Sequence, residues 1–177
     1  INAKTYDGAT TGEGSVVSLA GAVYNDQPTA TATFEWDTKN ADETNATAQV
    51  TLDPAWQKNY TLHLNGAVDI ANAAPIAPAP LSVEWSGVED RYAGDGKSVR
   101  AEIKDKATAV FGSDDVGLSL VIDGDPASDG GSPGKHTAAA SLTGADQGNY
   151  ELDGSAIRDY EVASGGSLVS VTNVKNG

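Results

Sequence analysis

One internal echo constrains this chain more than any other feature. Asn59-Tyr60-Thr61-Leu62 returns 90 positions later as Asn149-Tyr150-Glu151-Leu152. Tyr6-Asp7-Gly8 returns 86 positions later as Tyr92-Ala93-Gly94, and Leu52 and Leu142 each stand eight residues before the second tyrosine of their copy. A period of this length exceeds the ~20–50 residues of solenoid repeats. It matches a complete small domain, so two tandem domains of roughly 80 residues are expected in the 177 residues.

The copies agree in pattern more than in identity. Val23-Tyr24 falls on Val110-Phe111, and Thr31 to Trp36 falls on Gly117 to Ile122 within about a residue. Thr47-Ala48-Gln49-Val50-Thr51-Leu52 falls on Thr137-Ala138-Ala139-Ala140-Ser141-Leu142. These are short runs of alternating or continuous apolar character bounded by Gly, Asn, Asp or Pro, which is the pattern of strands and turns. The expectation is a mostly-β, all-β class protein. Each domain would be an Ig-like sandwich or a β-grasp-like sheet.

Four stretches follow from the period. Residues 1–73 form a first repeat module whose opening strand is truncated. Residues 74–80 carry Pro75, Pro78 and Pro80 and form a short Pro/Ala-rich linker, since proline locks φ and extends its predecessor. Residues 81–165 form the second module, opened by Leu81-Ser82-Val83-Glu84-Trp85. Residues 166–177 begin a third module or form a tail, because Leu168-Val169-Ser170-Val171-Thr172 repeats that opening strand 87 positions on.

Composition removes several function classes. The net charge is −14, with 25 acidic residues against 11 basic, which argues against nucleic acid and anionic lipid as partners. No apolar run reaches the ~18 residues of a membrane span, so no membrane insertion is expected of this stretch. Cysteine is absent, so no disulfide staples the domains. An isopeptide bond from Lys4, Lys97 or Lys104 to an asparagine is the covalent alternative.

The sequence carries few residues suited to catalysis or metal binding. His63 and His136 stand at non-equivalent positions, and neither belongs to a Gly-x-Ser-x-Gly elbow or a two-histidine metal spacing. His63 alternates with Leu62 and Leu64, as on a strand. Asp123, Asp125 and Asp129 begin like a calcium loop. Ala127 then replaces a third oxygen ligand and no glutamate closes the loop, so a hairpin connection competes with a cation site. Phe34 and Trp36 share one strand face and point to the core. Trp56, in a loop, and Trp85, beside the linker, are the candidate ligand-binding residues, since an exposed indole can stack on a sugar; Trp85 alternatively seals the junction of the modules.

Lys4-Thr5-Tyr6-Asp7-Gly8-Ala9-Thr10-Thr11 resembles the opening signature of the YDG/MBG-type tandem repeats of bacterial cell-surface proteins. Leu142 to Leu152 resembles their closing signature, and Ile76 to Val83 their junctions. The resemblance implies an extracellular, non-catalytic, mostly-β module of an adhesin-like protein, without cofactors, serving as stalk or spacer. Its partners would be neighbouring repeats, and alternatively a host glycan or protein. It implies structural roles for Tyr6, Gly8, Asn59, Tyr60, Tyr92, Gly94, Asn149 and Tyr150. The glycines would permit positive φ, the asparagines would cap turns, and the tyrosines that follow them would begin strands and fill the core.

Overall fold

Alternating side chains build the first sheet. In the computed structural model, which describes residues 1–16, 18–125, 128 and 131–165, Thr11–Gly12 (β2), Ala30–Trp36 (β3), Ala46–Leu52 (β4) and Ala67–Ile70 (β5) form an antiparallel sheet in that order. Phe34 and Trp36 face inward from β3, as the alternation predicts, while Glu35 between them is exposed. Their cross-strand partners are Ala48 and Ala46, so two large rings lie beside two small residues and the layer packs without clash. Gly12 makes room as well, because a Cβ there would come within 2.1 Å of the Trp36 ring.

Lys4–Thr5 (β1) pairs in parallel with Ile76–Ala77 (β6), and Ile76 is fully buried. Ala79–Leu81 (β7) follows directly, with Ala79 buried, and is hydrogen-bonded to Tyr150–Leu152 (β13). Within the Pro/Ala stretch expected as a linker, Ile76–Ala77 and the residues from Ala79 onward are therefore strand. Proline is tolerated there because the intervening residues supply the donors and the apolar side chains.

The chain divides into two compact units that are not contiguous in sequence. Unit 1 comprises Ile1–Pro80, Val110–Asp115 and Ala145–Glu151; unit 2 comprises Leu81–Ala109, Val116–Gly144 and the stretch from Leu152 onward. The boundaries at 73 and 81 drawn from the repeat thus omit two segments that complete unit 1. The segment 166–177, with its expected strand Leu168–Thr172, lies outside the described residues.

In unit 2, Val83–Ser86 (β8) pairs antiparallel with Arg100–Ile103 (β10). Gly117–Ile122 (β11), Gly134–Thr143 (β12) and Ile157–Ala163 (β14) run antiparallel, and Arg91–Tyr92 (β9) adds to β14 in parallel. One short α-helix, Lys106–Ala109, is present among the described residues, with three short 3₁₀ turns. The core gathers Val88, Val99, Ile122, Ala138, Tyr160 and Val162, with Trp85 and Leu120 packed against it. The described chain is mostly β.

The two halves repeat each other in three dimensions. The parallel pair β1–β6 has its counterpart in β9–β14. The Lys4 ammonium donates to Asp7 Oδ1 and to the carbonyls of Ala9 and Thr11, while the Arg91 guanidinium binds Asp95 and the carbonyls of Gly87 and Lys97. The Ala9 N–H donates to Asp7 as the Lys97 N–H donates to Asp95, each at 2.9 Å. Asp7-Gly8 therefore corresponds to Asp95-Gly96, 88 positions on, rather than to Ala93-Gly94. The second copy carries an extra residue between its cation and its carboxylate. Tyr92 consequently lies on β9 and is 53% exposed, whereas Tyr6 is 2% exposed.

Candidate functional site

A buried polar cluster of unit 1 centres on Asp114, whose side chain is 3% exposed. The turn Phe111–Asp114 closes with the Asp114 N–H donating to the Phe111 carbonyl, and Gly112 takes φ 58° there. A three-residue helical turn, Gln147–Asn149, then delivers Tyr150.

Three donors meet on this carboxylate. The Tyr6 hydroxyl donates to Oδ2 at 2.5 Å, the Tyr150 hydroxyl to the same oxygen at 2.8 Å, and Lys39 Nζ to Oδ1 at 2.7 Å. The Phe111 N–H donates to the Tyr150 hydroxyl at 2.9 Å. Around them the rings interlock. Tyr6 meets Tyr150 edge-on at 5.3 Å and Phe111 edge-on at 5.7 Å, while Phe111 and Tyr150 lie nearly parallel. Each such ring pair adds about 0.5–1.5 kcal/mol beyond burial. Lys39 also stands 5.8 Å from the Tyr6 ring centroid. Asn149, buried, accepts the Ala41 N–H on its side-chain oxygen at 2.8 Å.

The electrostatics follow from burial and these bonds. Burial pushes the Asp114 carboxyl up, but the hydrogen bonds from Lys39, Tyr6 and Tyr150 outweigh it and hold the group below its ordinary value. Burial raises the Tyr150 hydroxyl; the Phe111 N–H opposes this and Asp114 adds to it, leaving it pushed up to about 12. Tyr6 is raised by burial and by Asp114. Lys39 is raised by its bonds to Asp114 and Tyr6. Three donors occupy most of the roughly four lone-pair sites of this buried carboxylate, and they come from three separate stretches of chain, so the arrangement clamps those segments together.

Residues 1–68 match the YDG domain. No curated protein and no solved structure matches the chain. Tyr6, Lys39 and Ala41 lie inside the YDG-matched segment, whereas Phe111, Asp114, Asn149 and Tyr150 lie beyond it. The cluster thus joins the matched segment to residues of the second repeat.

The other sequence candidates are dispersed. Gly8 takes φ 77° and faces Phe111, and Gly94 takes φ 82° with open space around it. Tyr60 is half-buried and begins no strand; its hydroxyl donates to Asp26 Oδ2 at 2.6 Å. Asn59 is exposed. Trp56 is half-buried with its ring 6.1 Å from Tyr60. Trp85 packs on the unit 2 core and its indole N–H donates to the Ser155 carbonyl at 2.8 Å. His63 opens a 3₁₀ turn with positive φ at Leu64 and Asn65, not a strand.

Asp123 accepts the Thr137 N–H at 2.9 Å and contacts His136 Nδ1 at 2.6 Å. Asp125 sits in a bridge with Ile122, and Asp129 lies outside the described residues. Among the described residues, no group of three His, Cys, Asp or Glu side chains is arranged to hold a metal ion. Lys4 and Lys97 are bonded to Asp7 and to backbone carbonyls, with no asparagine among those partners. No helix among the described residues is long and apolar enough to cross a membrane.

The residue that sequence reading missed is Asp114. Its signal was present: Asp26 and Asp114 stand 88 positions apart, in turns that place Val23 on Phe111. Pairing Val23-Tyr24 with Val110-Phe111 sets that register one residue short and hides the aspartates.

Proposed function

We propose that this chain is a non-catalytic tandem-repeat segment of a bacterial cell-surface, adhesin-like protein, working outside the cell as stalk or spacer. The finer architecture in this reading is a series of small Ig-like or β-grasp-like modules. One observation carries it: unit 1 is closed by Asp114 and Tyr150, which belong to the next repeat of the sequence. A module that borrows its last elements from its successor suits a continuous array better than an independent catalyst. Two further features support it. The acidic surface, at net charge −14, favours solubility, and the absence of cysteine leaves folding independent of redox conditions.

Pulling single molecules by their ends tests the stalk role. The reading expects unit 1 to resist force as a cooperative β body, and Asp114→Asn to lower that force. Extension without a resolved unfolding event would overturn it. Protease treatment of intact producing cells tests the location, with release of the chain expected.

A second reading, recognition of a host glycan or protein, is favoured by the half-buried Trp56 beside Tyr60 and by Tyr24, which is 93% exposed. A glycan array together with Trp56→Ala separates the two readings.

A further inference from the structure

The first repeat carries a second copy of the Asp114 acceptor, and among the described residues no guest covers that copy. The turn Val23–Asp26 closes with the Asp26 N–H donating to the Val23 carbonyl at 3.0 Å, as Asp114 does to Phe111 at 3.2 Å. Tyr24 takes φ 57° where Gly112 takes φ 58°. The Tyr60 hydroxyl donates to Asp26 Oδ2 as that of Tyr150 does to Asp114 Oδ2. The Val23 N–H reaches the Tyr60 hydroxyl at 3.2 Å as the Phe111 N–H reaches that of Tyr150 at 2.9 Å. Thus Val23, Asp26 and Tyr60 reproduce three bonds of Phe111, Asp114 and Tyr150, and Asn59 stands before Tyr60 as Asn149 stands before Tyr150.

Only the covering differs. Around Asp114 sit Tyr6, Lys39 and the Ala41 N–H, and Tyr150 is 4% exposed. Among the described residues nothing equivalent sits around Asp26: Val23 is 51% exposed, Tyr24 93%, and Asn59 is exposed.

We propose that Val23–Asp26, Asn59 and Tyr60 form a docking site for the Tyr6–Lys39–Ala41 face of another YDG-type repeat placed ahead of Ile1. The chain itself shows the fit, since that face already covers the same three-bond arrangement at Asp114. The guest hydroxyl donates to Asp26, its lysine pairs with the same carboxylate, and its backbone N–H donates to Asn59. The proposal rests on the tandem-repeat reading and specifies the chemistry of its junctions.

The test is an extended chain in which residues 1–87 are duplicated directly before Ile1, so that Ile1 takes the place held by Val88. Amide hydrogen exchange is followed at Val23 of the middle copy. Slowing by about tenfold or more relative to the original chain is expected, since covering an amide raises the cost of its opening. Asp26→Asn in the middle copy, or Tyr6→Phe with Lys39→Ala in the added copy, should return the original rate. Phe111, protected in all of these chains, reports that the fold is intact. Equal Val23 rates in the original and extended chains, with Phe111 still protected, would overturn the proposal. So would a Val23 surface that stays open in the extended chain and is protected by a glycan. Neither outcome touches the pulling experiment, so the stalk reading and the docking site fail separately.

Discussion

The hydroxyls of Tyr6 and Tyr150 donate to the same oxygen of Asp114, although 144 positions separate the two residues. A shared acceptor couples them. Tyr6→Phe and Tyr150→Phe should each destabilise unit 1 by about 1–2 kcal/mol, the cost of a lost hydrogen bond to a charged group. The double variant should depart from the sum by about 0.5–1 kcal/mol, because residues that share a partner are not independent. Denaturant midpoints of the four proteins measure this cycle.

Alkali should loosen the same cluster. Tyr150 is pushed up to about 12 from an ordinary 10.0, so the fold disfavours its ionised form. That contribution is complete below about pH 10 and is lost as pH rises toward 12. Tyr6 shifts in the same direction and adds to the loss. At the acid end Asp114 is held low, so its contribution is present above the ordinary carboxylate range and disappears as pH falls through its lowered value. Stability against pH, read by circular dichroism, should show both limbs, and Tyr150→Phe should weaken the alkaline one.

Gly8→Ala should cost unit 1 about 1 kcal/mol or more. The residue takes φ 77°, which costs an L-residue roughly 1–2 kcal/mol, and its new Cβ would stand 3.1 Å from that of Phe111. Gly94→Ala, at φ 82° with open space, should cost only the backbone part. A larger loss at Gly94 than at Gly8 in thermal unfolding would contradict the packing described here.

His136 and Asp123 tie the start of β12 to the end of β11. His136 is raised by its bond to Asp123 and by the Ser132 carbonyl, and Asp123 is lowered by the Thr137 N–H and then by His136. The histidine's share is complete below about pH 6.5 and fades as pH rises through its raised value. The aspartate's share fades on acidification below the ordinary carboxylate range. His136→Gln should flatten the neutral-range step in unit 2 stability, measured by exchange at Thr137.

Much of the β character was legible locally. Phe34, Glu35 and Trp36 alternate in the sequence and do so in the sheet, because the period of two follows from strand geometry alone. The match of residues 1–68 to the YDG domain agrees with the opening signature at Tyr6-Asp7-Gly8. What was hidden depends on distance along the chain. Nothing near Tyr6 states that its partner is Asp114. The extra residue beside Arg91 also misleads an alignment anchored on tyrosine, because Tyr6 and Tyr92 look alike in sequence while the bonds align Asp7 with Asp95. The prolines of residues 75–80 read as a spacer because composition does not register that Ile76 and Ala79 are buried.

The closure of unit 1 by Ala145–Glu151 also bears on inheritance. The period of the sequence and the body that folds are out of phase. A crossover that inserts or deletes one whole period of about 88 codons would reunite a Tyr6-type residue with an Asp114-type turn at the new join. Length could then vary between relatives while each internal joint keeps the same atoms in contact, and selection would act on the number of joints rather than on the repair of each one.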